Sequence, residues 1–239
     1  LTEALTIRND MTVVLRDKMG DDRAVIEAML ASTEDDEIVQ EMLEEKTTYG
    51  RINFLMKNRH GTPFEHNAMK FYMEMPIFVF REFHRHRIGW SYNEMSGRYR
   101  QLPPTFYVPG PQRKLIQIGK PGHYEFVQGT PKQLQATVRV MSKSYADAYR
   151  TYEEMLDNDV AKEVARMVLP VGIYSAQYAT CNARSLMALL SLRTIRKGST
   201  FPSFPMREIE MVAEAMEAYF AEIFPLTYRA FNENGRVAP

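Results

Sequence analysis

Apolar and polar residues along this chain follow two periods, and the switches between them mark the elements. MTVVLRDKMG (11–20) alternates and is rich in β-branched residues, which predicts a strand and a turn. Helical spacing takes over from Asp22 to Ala31, and again from Glu37 to Glu45, where Ile38, Met42 and Leu43 supply an apolar stripe. TTYGRINFLMKNRHG predicts a further helix that ends near Gly61. NAMKFYMEM (67–75) reads as a strand, after which Pro76 suits the first turn of a helix over IFVFREFHRHR.

Residues 103–122 are rich in Pro and Gly and read as loop. A long amphipathic helix follows from Pro131 to Asp157, with Leu134, Val138, Met141, Tyr145, Tyr149, Tyr152 and Leu156 at helical spacing. Val160–Leu169 reads as a helix stopped by Pro170, Ile173–Thr180 as a strand, and Asn182–Ile195 as a buried helix. RKGSTFPSFP is loop, and Met206–Phe224 is the final long helix. No repeat interrupts the pattern. The expected architecture is α+β, a mixed antiparallel sheet with several long helices, in one domain over residues 1–239.

Charge changes this picture only locally. The chain balances 30 basic against 30 acidic side chains, which argues against coating nucleic acid or membrane by bulk electrostatics. No apolar run approaches the ~18 residues of a membrane span, and LTEALTIRND lacks the features of a secretory leader. The single cysteine, Cys181, allows no intrachain disulfide, which suits the reducing cytoplasm. Residues 34–45 hold seven acids and no base, the pattern of a wet helix face. The opposite bias runs from Val164 to Arg207. That stretch has no Asp or Glu, yet it holds Arg166, Arg184, Arg193, Arg196, Lys197 and Arg207. Either anions or carboxylates elsewhere in the fold must answer those cations.

The densest chemistry is HRHRIGWSYNEMSGRY (84–99). A metal site is not expected there, because His84 and His86 would point about 200° apart on a helix and their arginine neighbours repel cations. His60, Glu65 and His66 match no helical metal spacing either. An anion site fits better. On a continuing helix Arg81 and Arg85 share a face, as do Glu82 and His86. Arginine forks suit phosphate, and the Ser96–Gly97–Arg98 turn lets backbone N–H groups approach an oxyanion. Asn93 and Glu94 could read a base edge or a sugar hydroxyl. No Rossmann or P-loop glycine motif occurs.

HGTPFEH (60–66), RHR (85–87), SYNEMSGRY (91–99), VARMVLP (164–170) and NARSLMALLSLR (182–193), in that order, resemble the flavin-dependent thymidylate synthases, the ThyX family. The resemblance implies a homotetramer with FAD-containing active sites where subunits meet. It also implies conversion of dUMP to dTMP, with the carbon from methylenetetrahydrofolate and the hydride from NADPH by way of the flavin. Neither nucleic acid nor membrane is an implied partner. Matched position by position, Arg85, His86, Arg87 and Ile88 resemble the flavin signature. Ser32, His60, Thr62, Glu65, Asn182 and Arg184 resemble its other cofactor contacts. Glu82, Glu94, Ser96, Gly97, Arg98, Arg166 and Arg193 resemble the nucleotide-binding set, with Arg193 acting on the pyrimidine itself.

Three features depart from the family pattern. There is one extra residue near Gly89 and Trp90, which a loop must absorb; Ala188 stands where relatives often carry Asn or His; and the loop TIRKGSTFPSFP lacks a histidine. Two other readings use the same residues: a non-catalytic nucleotide- or RNA-binding module, and a flavin- and nucleotide-binding relative without folate turnover.

Overall fold

The computed structural model describes residues 4–31, 45–120 and 123–239. These residues form two compact units, and neither is a continuous stretch of chain. One draws on Leu1–Asp10, Glu74–Phe80 and Glu94–Ala176, the other on Met11–Met73, Arg81–Asn93 and Gln177–Pro239.

The elements in chain order are β1 (Thr6–Arg8), β2 (Thr12–Met19), α1 (Asp22–Met29), α2 (Glu45–Lys57), β3 (Ala68–Pro76), α3 (Ile77–Phe83), β4 (Trp90–Glu94), β5 (Thr105–Tyr107), β6 (Ile116–Lys120), β7 (His123–Val127), α4 (Pro131–Asp157), α5 (Lys162–Ala165), β8 (Tyr174–Cys181), α6 (Ala183–Arg193), α7 (Arg207–Ile223) and α8 (Pro225–Glu233). Single 3₁₀ turns cover Thr62–Glu65 and Arg166–Val168. The largest sheet has the order β2–β3–β8–β4. Strands β1 and β5 pair in parallel, and β6 and β7 form an antiparallel hairpin. The α+β class holds.

In the first unit α4 lays Tyr145, Tyr149 and Tyr152 against Leu102, Phe106, Val108 and Ile173. Its start is fixed by a capping box. The Thr130 hydroxyl accepts from the Gln133 N–H, and the Gln133 side chain accepts from the Thr130 N–H. The second unit buries Ile26, Ile52, Phe64, Phe71, Met73, Leu186, Leu190, Val212, Met216, Phe220 and Phe231. There α6 packs on α7, and α2 on α8. Asp22 opens α1, and its buried carboxylate also accepts from Leu226 N at 2.7 Å, Thr227 N at 2.9 Å and Thr227 Oγ1 at 2.6 Å. It thereby caps α8 from another element.

Four expectations need correction. The helix over IFVFREFHRHR stops at Phe83, so the HRHR run is not helical. Residues 103–122 contain two strands, β5 and β6, rather than loop alone. The helix over Val160–Leu169 is a short α-turn continued as 3₁₀. Chain beyond Phe224 forms one more helix, α8, started by Pro225. The helix expected over Glu37–Glu45 lies almost wholly outside the described residues.

Candidate functional site

Two cavities, one in each unit, are lined by seven of the seventeen site residues expected from sequence. The larger, of about 760 Å³, lies in the second unit and is lined by Arg81, Arg85, His86, Arg87, Ile88, Trp90, Ser185 and Ala188. The chain reaches it in three steps. Helix α3 ends at Phe83, the HRHR run follows as irregular backbone, and a turn at Ile88–Gly89 leads into β4. That turn needs Gly89. Its φ is 69°, and a Cβ there would run into Ser185 Oγ. Gly89 and Trp90, the place of the expected extra residue, lie where that turn meets β4.

Two carbonyls beyond the end of α3 are satisfied by side-chain hydroxyls. Tyr92 OH donates to the His86 carbonyl, and Ser185 Oγ donates to the Ile88 carbonyl at 2.8 Å. Asn182 caps α6 by accepting from Ser185 N at 2.8 Å. Trp90 stacks on Tyr92 and meets Phe83 edge-on, which fixes the indole in the cavity wall. The i, i+4 pairings assumed for Arg81–Arg85 and Glu82–His86 therefore do not exist, yet Arg81 and Arg85 still line one cavity.

Electrostatics give this cavity its character. Arg81, Arg85 and Arg87 make no ion pair or hydrogen bond with a described side chain, and no carboxylate is among the lining residues. Arg193, outside that lining, donates from Nε to His86 Nε2 at 3.1 Å and from Nη1 to Glu82 at 3.0 Å. A guanidinium has no lone pair to offer, so His86 must accept at Nε2 and carry its proton on Nδ1. The ring stays neutral. Burial, and then the charges of Arg193 and Arg85, hold its pKa at about 4.

The second cavity, of about 250 Å³, lies in the first unit. Glu94, Gly97, Arg166, Glu163 and the apolar Ile77, Met95, Leu102, Met167, Leu169 and Ile173 are among its lining residues. Gly97 approaches Leu102 and Arg166 too closely for a side chain to fit without displacement. Arg98 pairs with Glu163 at 2.9 Å, and Ser96 Oγ accepts from the Arg98 N–H at 3.3 Å, closing the small-residue turn. Arg166 has no carboxylate partner among the described residues.

The remaining expected residues stand apart from both linings. His60, Thr62 and Glu65 lie between α2 and β3, where Glu65 accepts from Arg184 at 2.5 Å. Gly61 lets the Arg184 guanidinium sit against the backbone. Ser32 lies outside the described residues. Of the cations in the acid-free stretch, Arg184, Arg193, Arg196 and Arg207 are answered by Glu65, Glu82, Glu214, Glu217 and Glu210, carboxylates outside that stretch. Elsewhere in the fold is therefore the answer for four of the six. Cys181 is buried and its thiol pKa is pushed well up, which makes it inert. Sequence reasoning left Ser185 out. Its place three residues after a helix-capping Asn was the available signal.

An open cationic cleft walled by an indole and apolar side chains, with a neutral histidine coupled to a charged arginine, has the chemistry that suits anionic, aromatic ligands such as nucleotides. Comparison with known proteins narrows the class. The family model described as thymidylate synthase complementing protein matches residues 14–226. The flavin-dependent thymidylate synthase of Streptomyces avermitilis is 57% identical over 235 residues, covering 98% of this chain and 96% of that one. Its counterpart from Streptomyces coelicolor is 55% identical over 236 residues, covering 98% and 96%. Among solved structures, a UMP/dUMP methylase, PolB from Streptomyces cacaoi bound with 5-Br dUMP, is 47% identical with a TM-score of 0.92, covering 98% of this chain and 100% of that chain. This chain belongs to the flavin-dependent thymidylate synthases, the ThyX family.

Proposed function

We propose that this chain converts dUMP to dTMP, taking the one-carbon unit from methylenetetrahydrofolate and the reducing hydride from NADPH by way of FAD. The observation that carries the reading is the cleft with three guanidiniums that pair with no carboxylate among the described residues, in a chain that belongs to this family. The residues present fit the cofactor. A flavin dinucleotide brings a diphosphate for Arg81, Arg85 and Arg87, and an aromatic ring system for the Trp90 and Ile88 side of the cleft. Bound FAD would carry hydride between NADPH and the pyrimidine.

The protein's own groups bind and orient. Arg193 uses two of its donors on His86 and Glu82, which leaves guanidinium N–H groups for a pyrimidine oxygen, where negative charge develops as the carbon adds. Glu82 fixes the fork and balances its charge. Neutral His86 keeps its Nδ1–H as a donor. Glu94, Ser96, Gly97, Arg98 and Arg166 would hold sugar and phosphate of the nucleotide. His60, Thr62, Glu65, Asn182, Arg184 and Ser32 would complete the cofactor contacts.

The reading includes one functional domain over the whole chain, assembly as a homotetramer with shared sites, and a cytoplasmic setting. Exposed apolar side chains such as Ile88, at 90%, support subunit contact. Among the described residues no helix is long and apolar enough to cross a membrane. The test is a flavin spectrum after desalting, followed by conversion of labelled dUMP to dTMP with NADPH and methylenetetrahydrofolate. A protein that rejects FAD and makes no dTMP sinks the reading. The likeness to an enzyme whose description includes UMP makes UMP the second substrate to run in the same assay.

A further inference from the structure

Helix α6 delivers Arg193 to His86 and Glu82, and its C-terminal end is held by buried groups that no ligand would touch. Thr194 follows Arg193 directly and is 2% exposed. Its N–H and its Oγ1 both donate to the Leu190 carbonyl, at 3.2 and 2.7 Å. Its own carbonyl accepts from Ser203 Oγ at 2.7 Å. The same Oγ1 accepts from Arg236 Nη2 at 2.9 Å.

Arg236 is itself buried, 3% exposed, and lies at φ 57° directly after Gly235 at φ 70°. Two successive left-handed residues turn the chain back after α8 and aim the side chain inward. There Nη2 meets Glu217 of α7 at 2.7 Å, Nη1 donates to Asn232, and the guanidinium lies over Phe231. Glu217 also holds Arg196 at 2.6 Å. Burying such an ion pair contributes little stability by itself, because desolvation offsets the attraction. What the fork supplies is position, since one planar group is tied at once to the end of α6, to α7 and to α8. The same 234–239 segment also reaches the other end of α6, where Arg184 Nε donates to the Pro239 carbonyl at 2.6 Å.

We propose that Arg236, acting through Thr194, is a positioning residue for Arg193. In this arrangement the 234–239 segment braces α6 and so sets the Arg193 guanidinium against His86 and Glu82. The kinetic part of the inference rests on the proposed thymidylate synthesis; the geometric part does not.

The test uses the FAD-loaded full chain and three variants: Thr194→Val, Thr194→Ser and Arg236→Lys. Valine matches threonine in volume but cannot accept from Arg236. Serine keeps the hydroxyl. Lysine keeps a charge opposite Glu217 but cannot bridge Thr194 and Asn232 together. Thr194→Val is expected to keep its flavin and its cooperative melt while kcat falls about 10-fold, the scale of a small misplacement of a reacting group. KM for NADPH should not move. The His86 ring, followed by NMR titration, should take up its proton at higher pH as Arg193 loosens. Thr194→Ser should restore both, and Arg236→Lys should behave like Thr194→Val. If Thr194→Val does not fold, Arg236→Lys carries the same comparison. A Thr194→Val or Arg236→Lys protein with parental kcat and an unmoved His86 titration overturns the brace. If the parent protein makes no dTMP, the functional reading fails separately, and the His86 titration with its serine rescue decides the brace alone.

Discussion

Arg193→Met tests the coupling of Arg193 to His86 most directly. Methionine keeps most of the side-chain length and removes both the charge and the Nε donor that meets His86 at 3.1 Å. The His86 pKa lies at about 4 against an ordinary 6.5, with burial the first cause, Arg193 the second and Arg85 the third. Two like charges ~4 Å apart repel by about 1 kcal/mol in water and about 4 kcal/mol in a partly buried setting. Glu82 offsets part of this. Loss of Arg193 should therefore raise the His86 midpoint by at least about one pH unit, while burial and Arg85 keep it below the ordinary value.

The sign of the stability effect follows. Above pH 6.5 His86 is neutral folded or unfolded, and nothing is lost. Between 6.5 and 4 the unfolded chain takes up a proton that the folded site resists, so stability falls as pH falls, and the loss is complete below the folded value. The full shift corresponds to roughly 3 kcal/mol, which solvent screening of a partly exposed ring reduces to about 1.5 kcal/mol. At about 2–4 °C per kcal/mol for a chain of this size, His86 accounts for roughly 3–6 °C of melting temperature between pH 7 and pH 4. In Arg193→Met that share shrinks. The assays are histidine-ring NMR titration, with His86→Asn to assign the signal, and calorimetry across the same pH range. A midpoint that stays put or moves down would falsify the coupling.

Three further outcomes follow from individual contacts. Gly89→Ala forces a side chain at φ 69° into Ser185 Oγ, so a loss of roughly 1–3 kcal/mol and weaker FAD retention are expected; an unchanged melt with normal flavin content counts against that account of the turn. Asp22→Ala removes three bonds that cap α8, at a cost of about 2 kcal/mol by urea unfolding; a loss below about 0.5 kcal/mol would mean water replaces the carboxylate. Cys181→Ala should keep turnover within about twofold, because a buried, protonated thiol takes no part in the chemistry; loss of turnover in a protein that still holds FAD would reinstate a cysteine nucleophile.

Legibility in the sequence followed where each element gets its stability. Helix α4 could be read to the residue because everything that defines it is local: the Thr130–Gln133 capping box, Pro131 in the first turn, and apolar residues at helical spacing. HRHR could not. Arginine is a good helix former and histidine is tolerated, so nothing local stops α3 at Phe83. What holds the chain after Phe83 is tertiary: Tyr92 OH and Ser185 Oγ donate to the His86 and Ile88 carbonyls, and Gly89 turns the backbone at φ 69°. Strand β4 alternates only through Trp90 and Tyr92, half-buried against exposed Ser91 and Asn93, a run too short to separate from loop by period. The expected site residues were found as types in a motif. Their division between two cavities depends on non-local packing that spacing does not encode.

The alternation of arginine and histidine at the cleft now has a physical reason. A protonated His86 would repel Arg193 and could not accept from it, so the contact exists only while the ring is neutral. Arg85, next in the chain, adds to the field that keeps it so, and burial does the rest. Arg85 thus acts twice. With Arg81 and Arg87 it supplies attraction for anionic ligands, and with Arg193 it suppresses a proton on His86. An anion bound at Arg85 should weaken that suppression and raise the His86 pKa. The donor bond from Arg193 must then hold against a greater tendency of the ring to charge, and at neutral pH a starting value of about 4 leaves room for that rise without loss of the neutral form.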